Sequence, residues 1–138
     1  VNALLLDTGV IVALLDRREE HHRQCNELVM STEALMITCE AVITEACFLL
    51  RRVPGAADDV LDNVERGEFQ IPAQLTPRVK SVRRLMKKYA DTPMDFADAC
   101  LVDLANEAGT GRILTLDRDF QVYRWGRNRA FELLVDLE

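Results

Sequence analysis

Four carboxylates stand where their surroundings do not account for them. Asp7 ends the apolar run Ala3-Leu4-Leu5-Leu6, and Asp117 ends Ile113-Leu114-Thr115-Leu116. Glu45 lies within Val42-Ile43-Thr44-Glu45-Ala46-Cys47-Phe48 and Asp98 within Phe96-Ala97-Asp98-Ala99-Cys100-Leu101. An isolated carboxylate beside a core is costly unless it is paired, neutralised or bound to a cation. Four of them meeting at one place, with no lysine beside any, would repel one another and hold abnormal protonation states. A divalent cation removes that conflict. Oxygen ligands without His or Cys favour Mg²⁺ or Mn²⁺ over zinc.

Taken singly, each acid has a plainer reading. Asp7 could cap a helix, and Asp117 could cap the turn before Phe120. Glu45 could be a partly exposed helix residue, and Asp98 could bond a backbone N–H near its helix start. Two strand-end acids together with two acids embedded in apolar helices weigh towards a shared site.

The elements that must position these acids are legible from hydrophobic period and punctuation. Ala3 to Leu6, Leu35 to Thr38 and Ile113 to Leu116 are short apolar runs of the kind buried strands make. Between them, Val10 to Leu15, a segment around Cys25, Leu28 and Val29, Glu40 to Arg52, and Met94 to Ala108 carry apolar residues at helical spacing. Pro54-Gly55 and Gly109 supply stops. The middle predicts a helix near Asp58 to Arg66, a strand Glu68 to Ile71, and a helix opened by Thr76 as N-cap with Pro77 in its first turn. Phe131 to Val135 predicts a last strand.

Strands alternating with helices imply an α/β fold whose parallel sheet is covered on both faces. Such sheets bind ligands beyond the carboxyl ends of their strands, where Asp7 and Asp117 would converge.

Composition sets the bounds. The chain has 138 residues, 49% hydrophobic, with 17 Lys+Arg against 23 Asp+Glu and a net charge of -6. That is enough for one domain over residues 1–138 with its own core, and it excludes collagenous, disordered and disulfide-stapled classes. Cys25, Cys39, Cys47 and Cys100 show no CxxC spacing, so neither a zinc site nor a disulfide frame is expected. No apolar stretch is long enough to span a membrane and no basic leader precedes the first one, so a cytoplasmic protein is expected.

The ordered set of motifs resembles a known family. Leu4-Leu5-Leu6-Asp7-Thr8, the Glu45 helix, Met94-Asp95-Phe96-Ala97-Asp98-Ala99 and Leu114-Thr115-Leu116-Asp117-Arg118-Asp119-Phe120 look like the four acidic motifs of PIN-domain nucleases, in particular VapC-type toxins. The resemblance covers nearly the whole chain in the same order. It implies a three-layer Rossmann-like PIN domain and a Mg²⁺- or Mn²⁺-dependent endoribonuclease acting on single-stranded or loop RNA. Asp7, Glu45, Asp98 and Asp117 would be both the metal-binding and the catalytic quartet. Thr8 and Thr115 would support it, and Asp95 and Asp119 would be auxiliary acids. The resemblance further implies a homodimer held inactive by a small antitoxin protein.

An acidic chain cannot hold RNA by bulk charge, so a local patch is required. Residues 1–77 carry 6 basic and 13 acidic side chains, whereas 78–138 carry 11 and 10. Arg78, Lys80, Arg83, Arg84, Lys87 and Lys88 run without an intervening acid. Arg83, Arg84, Lys87, Lys88 and Arg118 are the candidate RNA-phosphate contacts. Tyr89, Tyr123 and Trp125 could stack on unpaired bases or pack in the interior. His21 and His22 fall in a charged turn and predict solvent exposure.

Two rivals remain. Leu6-Asp7-Thr8-Gly9-Val10 faintly resembles the opening of a haloacid-dehalogenase-like phosphatase, but Gly9 stands where a second Asp is required and Glu45 is left without a role. The other is a catalytically silent PIN-type module that binds RNA or protein, against which the complete quartet argues.

Overall fold

The computed structural model describes residues 2–137. Its elements, in chain order, begin with strand β1 (Ala3–Leu6), helices α1 (Thr8–Leu15) and α2 (His22–Ser31), β2 (Leu35–Ile37), α3 (Glu40–Leu49), α4 (Ala56–Glu65) and β3 (Phe69–Gln70). A 3-10 turn (Thr76–Arg78) leads into α5 (Val79–Lys88) and α6 (Phe96–Ala108). The chain then forms β4 (Arg112–Leu114), a 3-10 turn (Arg118–Gln121), β5 (Arg124–Trp125), β6 (Arg129–Ala130) and β7 (Glu132–Leu133).

The main sheet has the order β3-β2-β1-β4-β7, and every neighbouring pair is parallel. All four residues of β1 are buried, and Leu5 and Leu6 are fully so, as a central strand covered on both faces requires. From β1 the chain steps outward through β2 to β3, then returns to the other side of β1 for β4 and β7. Right-handed crossovers running in opposite directions put their helices on opposite faces, α1 to α4 on one and α5 and α6 on the other. The reversal falls between β1 and β4, so a crevice opens beyond the carboxyl ends of the two strands that deliver Asp7 and Asp117.

Local chemistry explains the element boundaries. Asp7, not Thr8, caps α1, its carboxylate accepting the Thr8 N–H. Asp95 caps α6 by accepting the Asp98 N–H, so that helix starts at Phe96, two residues later than its apolar pattern suggests. Gly109 ends it at φ 70°, a left-handed conformation that glycine adopts without strain.

Four expectations are corrected. Thr76 makes no side-chain cap, and Pro77 sits in a 3-10 turn ahead of α5. The last strand of the sheet is only Glu132–Leu133, because an antiparallel β5-β6 hairpin precedes it. His22 is half-buried with Nδ1 2.7 Å from the Ala13 carbonyl, pinning the start of α2 to α1. Arg78 does not belong to the free basic run. Its Nε and Nη2 donate to both oxygens of buried Asp103 at 2.9 Å, and Glu107 lies 3.5 Å away. That bidentate pair satisfies a carboxylate which α6 carries into the α5-α6 interface, where an unpaired charge would cost about 3–5 kcal/mol. The four cysteines are free thiols.

Candidate functional site

Asp7, Glu45, Asp95, Asp98 and Asp117 line one cavity of ≈ 780 Å³ at the carboxyl edge of the sheet, and among the described residues no basic side chain lines it. One carboxylate oxygen from each of Asp7, Asp98 and Asp117 falls within 4.8 Å of the others. The three arrive from different elements: Asp7 from the end of β1, Asp98 from the first turn of α6, Asp117 from just beyond β4.

Their hydrogen bonds fix the carboxylates from behind. Thr115 Oγ1 donates to Asp7 Oδ2 at 2.6 Å and itself accepts the Asp117 N–H at 3.0 Å, tying two of the acids through one hydroxyl. The Asp119 N–H donates to Asp117 Oδ1 at 2.9 Å, so Asp117 caps its turn as well as facing the cavity. Thr8 Oγ1 donates to Glu45 Oε1 at 2.9 Å, which couples α3 to the end of β1. Asp98 Oδ2 accepts the Tyr123 hydroxyl at 3.2 Å. Asp98 Oδ1, Asp117 Oδ2 and Glu45 Oε2 accept no hydrogen bond from the described residues.

Crowding raises the acids' proton affinity. Burial lifts Asp7 to about 6 despite the Thr115 and Thr8 donors, with Asp117 and Glu45 adding repulsion. Burial lifts Asp98 to about 7, helped by repulsion from Asp95, Asp7 and Asp117. Asp117 is raised as well, again chiefly by burial. The donor set therefore fits a hard divalent cation: three carboxylate oxygens from three elements, all within 4.8 Å of one another, with neither His nor Cys among them. Glu45 stands at the solvent-exposed side of the same cavity and outside the tight trio.

The supporting residues divide. Thr8 and Thr115 bond Glu45 and Asp7 directly, and Asp95 lines the cavity while capping α6. Asp119 is exposed and lies outside the lining. Arg83, Arg84, Lys87 and Lys88 are exposed on α5. A link from Tyr89 to Asp95 joins the end of α5, which carries Lys87 and Lys88, to the start of α6. Arg118 is turned away, donating to the Leu137 carbonyl.

Tyr89 and Tyr123 are not base-stacking surfaces. Tyr123 is fully buried, packed edge-on against Tyr89 and Phe120 with ring centroids 5.1 Å apart in both pairs. The Tyr89 hydroxyl accepts the Arg124 N–H at 2.9 Å and so holds the segment that carries Tyr123. Burial and the nearby acids push the Tyr123 phenol up, so it stays a proton donor towards Asp98. Sequence reasoning missed this partnership because 25 residues separate Asp98 from Tyr123 and no motif joins them. It also missed Phe48, Leu49 and Leu116, the apolar wall of the cavity.

A parallel α/β sheet with clustered acids at its switch point defines a class. Residues 4–126 match the PIN domain family, and the chain belongs to it. It is 27% identical over 117 residues to Ribonuclease VapC26 of Mycobacterium tuberculosis (strain H37Rv), a match covering 83% of this chain and 87% of that protein. The crystal structure of M. tuberculosis VapC20, described as a sarcin-ricin loop cleaving toxin, superposes with a TM-score of 0.78 at 18% identity. That superposition covers 86% of this chain and 93% of VapC20.

Proposed function

We propose that the protein is a Mg²⁺- or Mn²⁺-dependent endoribonuclease that hydrolyses single-stranded or loop RNA and serves as the toxin of a toxin-antitoxin pair. The observation that carries this reading is the acid trio at the switch point of a PIN fold, buried deeply enough that its charge calls for a cation. The kinship with a ribonuclease supplies the substrate class.

Asp7, Asp98 and Asp117 hold the ion, with Glu45 at the open side of the cavity as a further oxygen donor. When bound, Mg²⁺ or Mn²⁺ supplies Lewis-acid activation of water and neutralises charge growing on the scissile phosphate and its leaving oxygen. Thr115 keeps Asp7 and Asp117 in register, so neither carboxylate has to reorganise as charge develops. Thr8 does the same for Glu45. Among the described residues no histidine lines the cavity, so the protein's own proton acceptors there are carboxylates. The exposed cations of α5 take phosphates of the flanking RNA. An unstacked strand reaches the cavity floor, whereas a regular duplex holds its phosphates on a stiff cylinder.

We further propose a homodimer and a small antitoxin protein as partners, an assignment that rests on the relationship to VapC proteins. Incubating the purified chain and its Asp7→Asn variant with structured cellular RNAs, including tRNA, at several metal concentrations and mapping the ends tests the nuclease. Cleavage by the wild type that stops in EDTA and in Asp7→Asn is expected. Cleavage that survives either change sinks the metal site, and tight RNA binding without cutting assigns the chain to the silent binding class.

A further inference from the structure

The nuclease reading leaves the apolar wall of the cavity without a task. Phe48 is 60% exposed and Leu49 56%, a large apolar area for the edge of a site lined by five acids. Both lie on α3 within about one turn of Glu45, some 5 Å along the helix. Phe48 is not loose. The Arg51 guanidinium carbon sits 4.0 Å from the ring centroid, and Arg51 Nη1 donates to the Phe48 carbonyl at 2.8 Å. Phe48 lines the cavity and Arg51 does not. Neither Arg51 nor Arg52 has an acidic partner among the described residues, and both are exposed.

We infer that Phe48, backed by Arg51, is a stacking platform for an unpaired nucleobase next to the scissile phosphate. This deepens the nuclease proposal and rests on it. Phe48 lines the same cavity as the acid trio, so a base next to a phosphate held there lies in the space that the ring faces. A flat ring fixed by a cation offers a π-face at little entropic expense, and an aromatic flanked by arginines is the combination that holds single-stranded nucleic acid. An apolar side chain of a protein partner would use the ring but not the positive charge of Arg51 and Arg52, which phosphates of a bound strand would use. The platform accepts any base, so it selects for unpaired structure, not for sequence.

The test uses an oligoribonucleotide spanning a cleavage site mapped with the wild type, and a set of copies each abasic at one position near the cut. Wild type is expected to lose about tenfold or more in kcat/KM at one abasic position, the usual scale of one base-aromatic stack. Phe48→Ala should show that loss on the intact oligonucleotide and no further loss at that position, while Phe48→Tyr keeps the wild-type profile. Mn²⁺ affinity should be unchanged in both variants, because Phe48 is exposed and bonds no acid. The same abasic profile in wild type and Phe48→Ala overturns the platform and assigns the wall to a protein partner. A second readout does not need cleavage. Single-stranded RNA carrying 2-aminopurine should be quenched on binding wild type and not Phe48→Ala, and equal behaviour of the two proteins refutes the platform even if no RNA is cut.

Discussion

Replacing Asp7 by Asn should stabilise the metal-free protein while abolishing its proposed activity. Burial raises Asp7 from its ordinary 3.8 to about 6. At pH 8 the folded chain therefore holds a carboxylate whose ionised form is disfavoured by about 2 pKa units, or ~3 kcal/mol. Asn has nearly the same shape and can still accept the Thr8 N–H; its amide NH2 then donates to Thr115 Oγ1 in place of the bond Asp7 accepts there, and it carries no charge. The sign follows from proton counts: between pH 4 and 6 the unfolded chain has already released the Asp7 proton and the folded chain has not. The wild type therefore loses stability as pH rises through that window and stays lower above it. In EDTA at pH 8, Asp7→Asn should melt higher by roughly 10 °C for a domain of this size. The advantage should fall to roughly half by pH 5. Millimolar Mn²⁺ should close the gap by raising the wild type alone, since a ligand bound only by the native state stabilises it by mass action. Thermal unfolding by circular dichroism, with and without metal at pH 5 and 8, reads all of these. A variant no more stable than wild type in EDTA at pH 8, or an advantage that does not shrink on acidification, refutes the claim that the site stores carboxylate repulsion.

Two further outcomes are expected. Tyr123→Phe removes only the hydroxyl that anchors Asp98, so Mn²⁺ affinity by calorimetry should fall by roughly 10–100-fold with the fold intact; unchanged affinity would leave Tyr123 a packing residue. Converting Arg83, Arg84, Lys87 and Lys88 to Gln should weaken RNA binding and reduce the slope of its salt dependence by up to about 3, with metal binding unaffected; an unaltered slope would assign α5 to another surface.

The sequence by itself determined the layout. Four-residue apolar runs and helix-period patterns are local consequences of burial, and they specify a parallel α/β sheet because strands covered on both faces admit no polar alternation. The strand-end acids were legible for the same reason: a charge that terminates a buried run has only the edge of the sheet to occupy. The reading placed the quartet in one region, and Asp7, Asp98 and Asp117 do meet within 4.8 Å.

What the linear pattern could not show is which donor holds each oxygen and which side chains close the cavity. Thr115 was visible as a neighbour of Asp117, but its bond crosses to Asp7, 108 residues away. Tyr123 and Trp125 look alike as exposed-aromatic candidates until the chain packs, when Tyr123 becomes fully buried beneath Asp98 and Trp125 stays partly exposed in the hairpin. Arg78 reads as one more cation until Asp103 accepts from both Nε and Nη2 along one edge of its guanidinium. Hydrophobic period records how much of a residue leaves water, which is a local quantity. Hydrogen-bond partnership and cavity walls depend on distances between segments remote in sequence, and only the closed tertiary structure sets those.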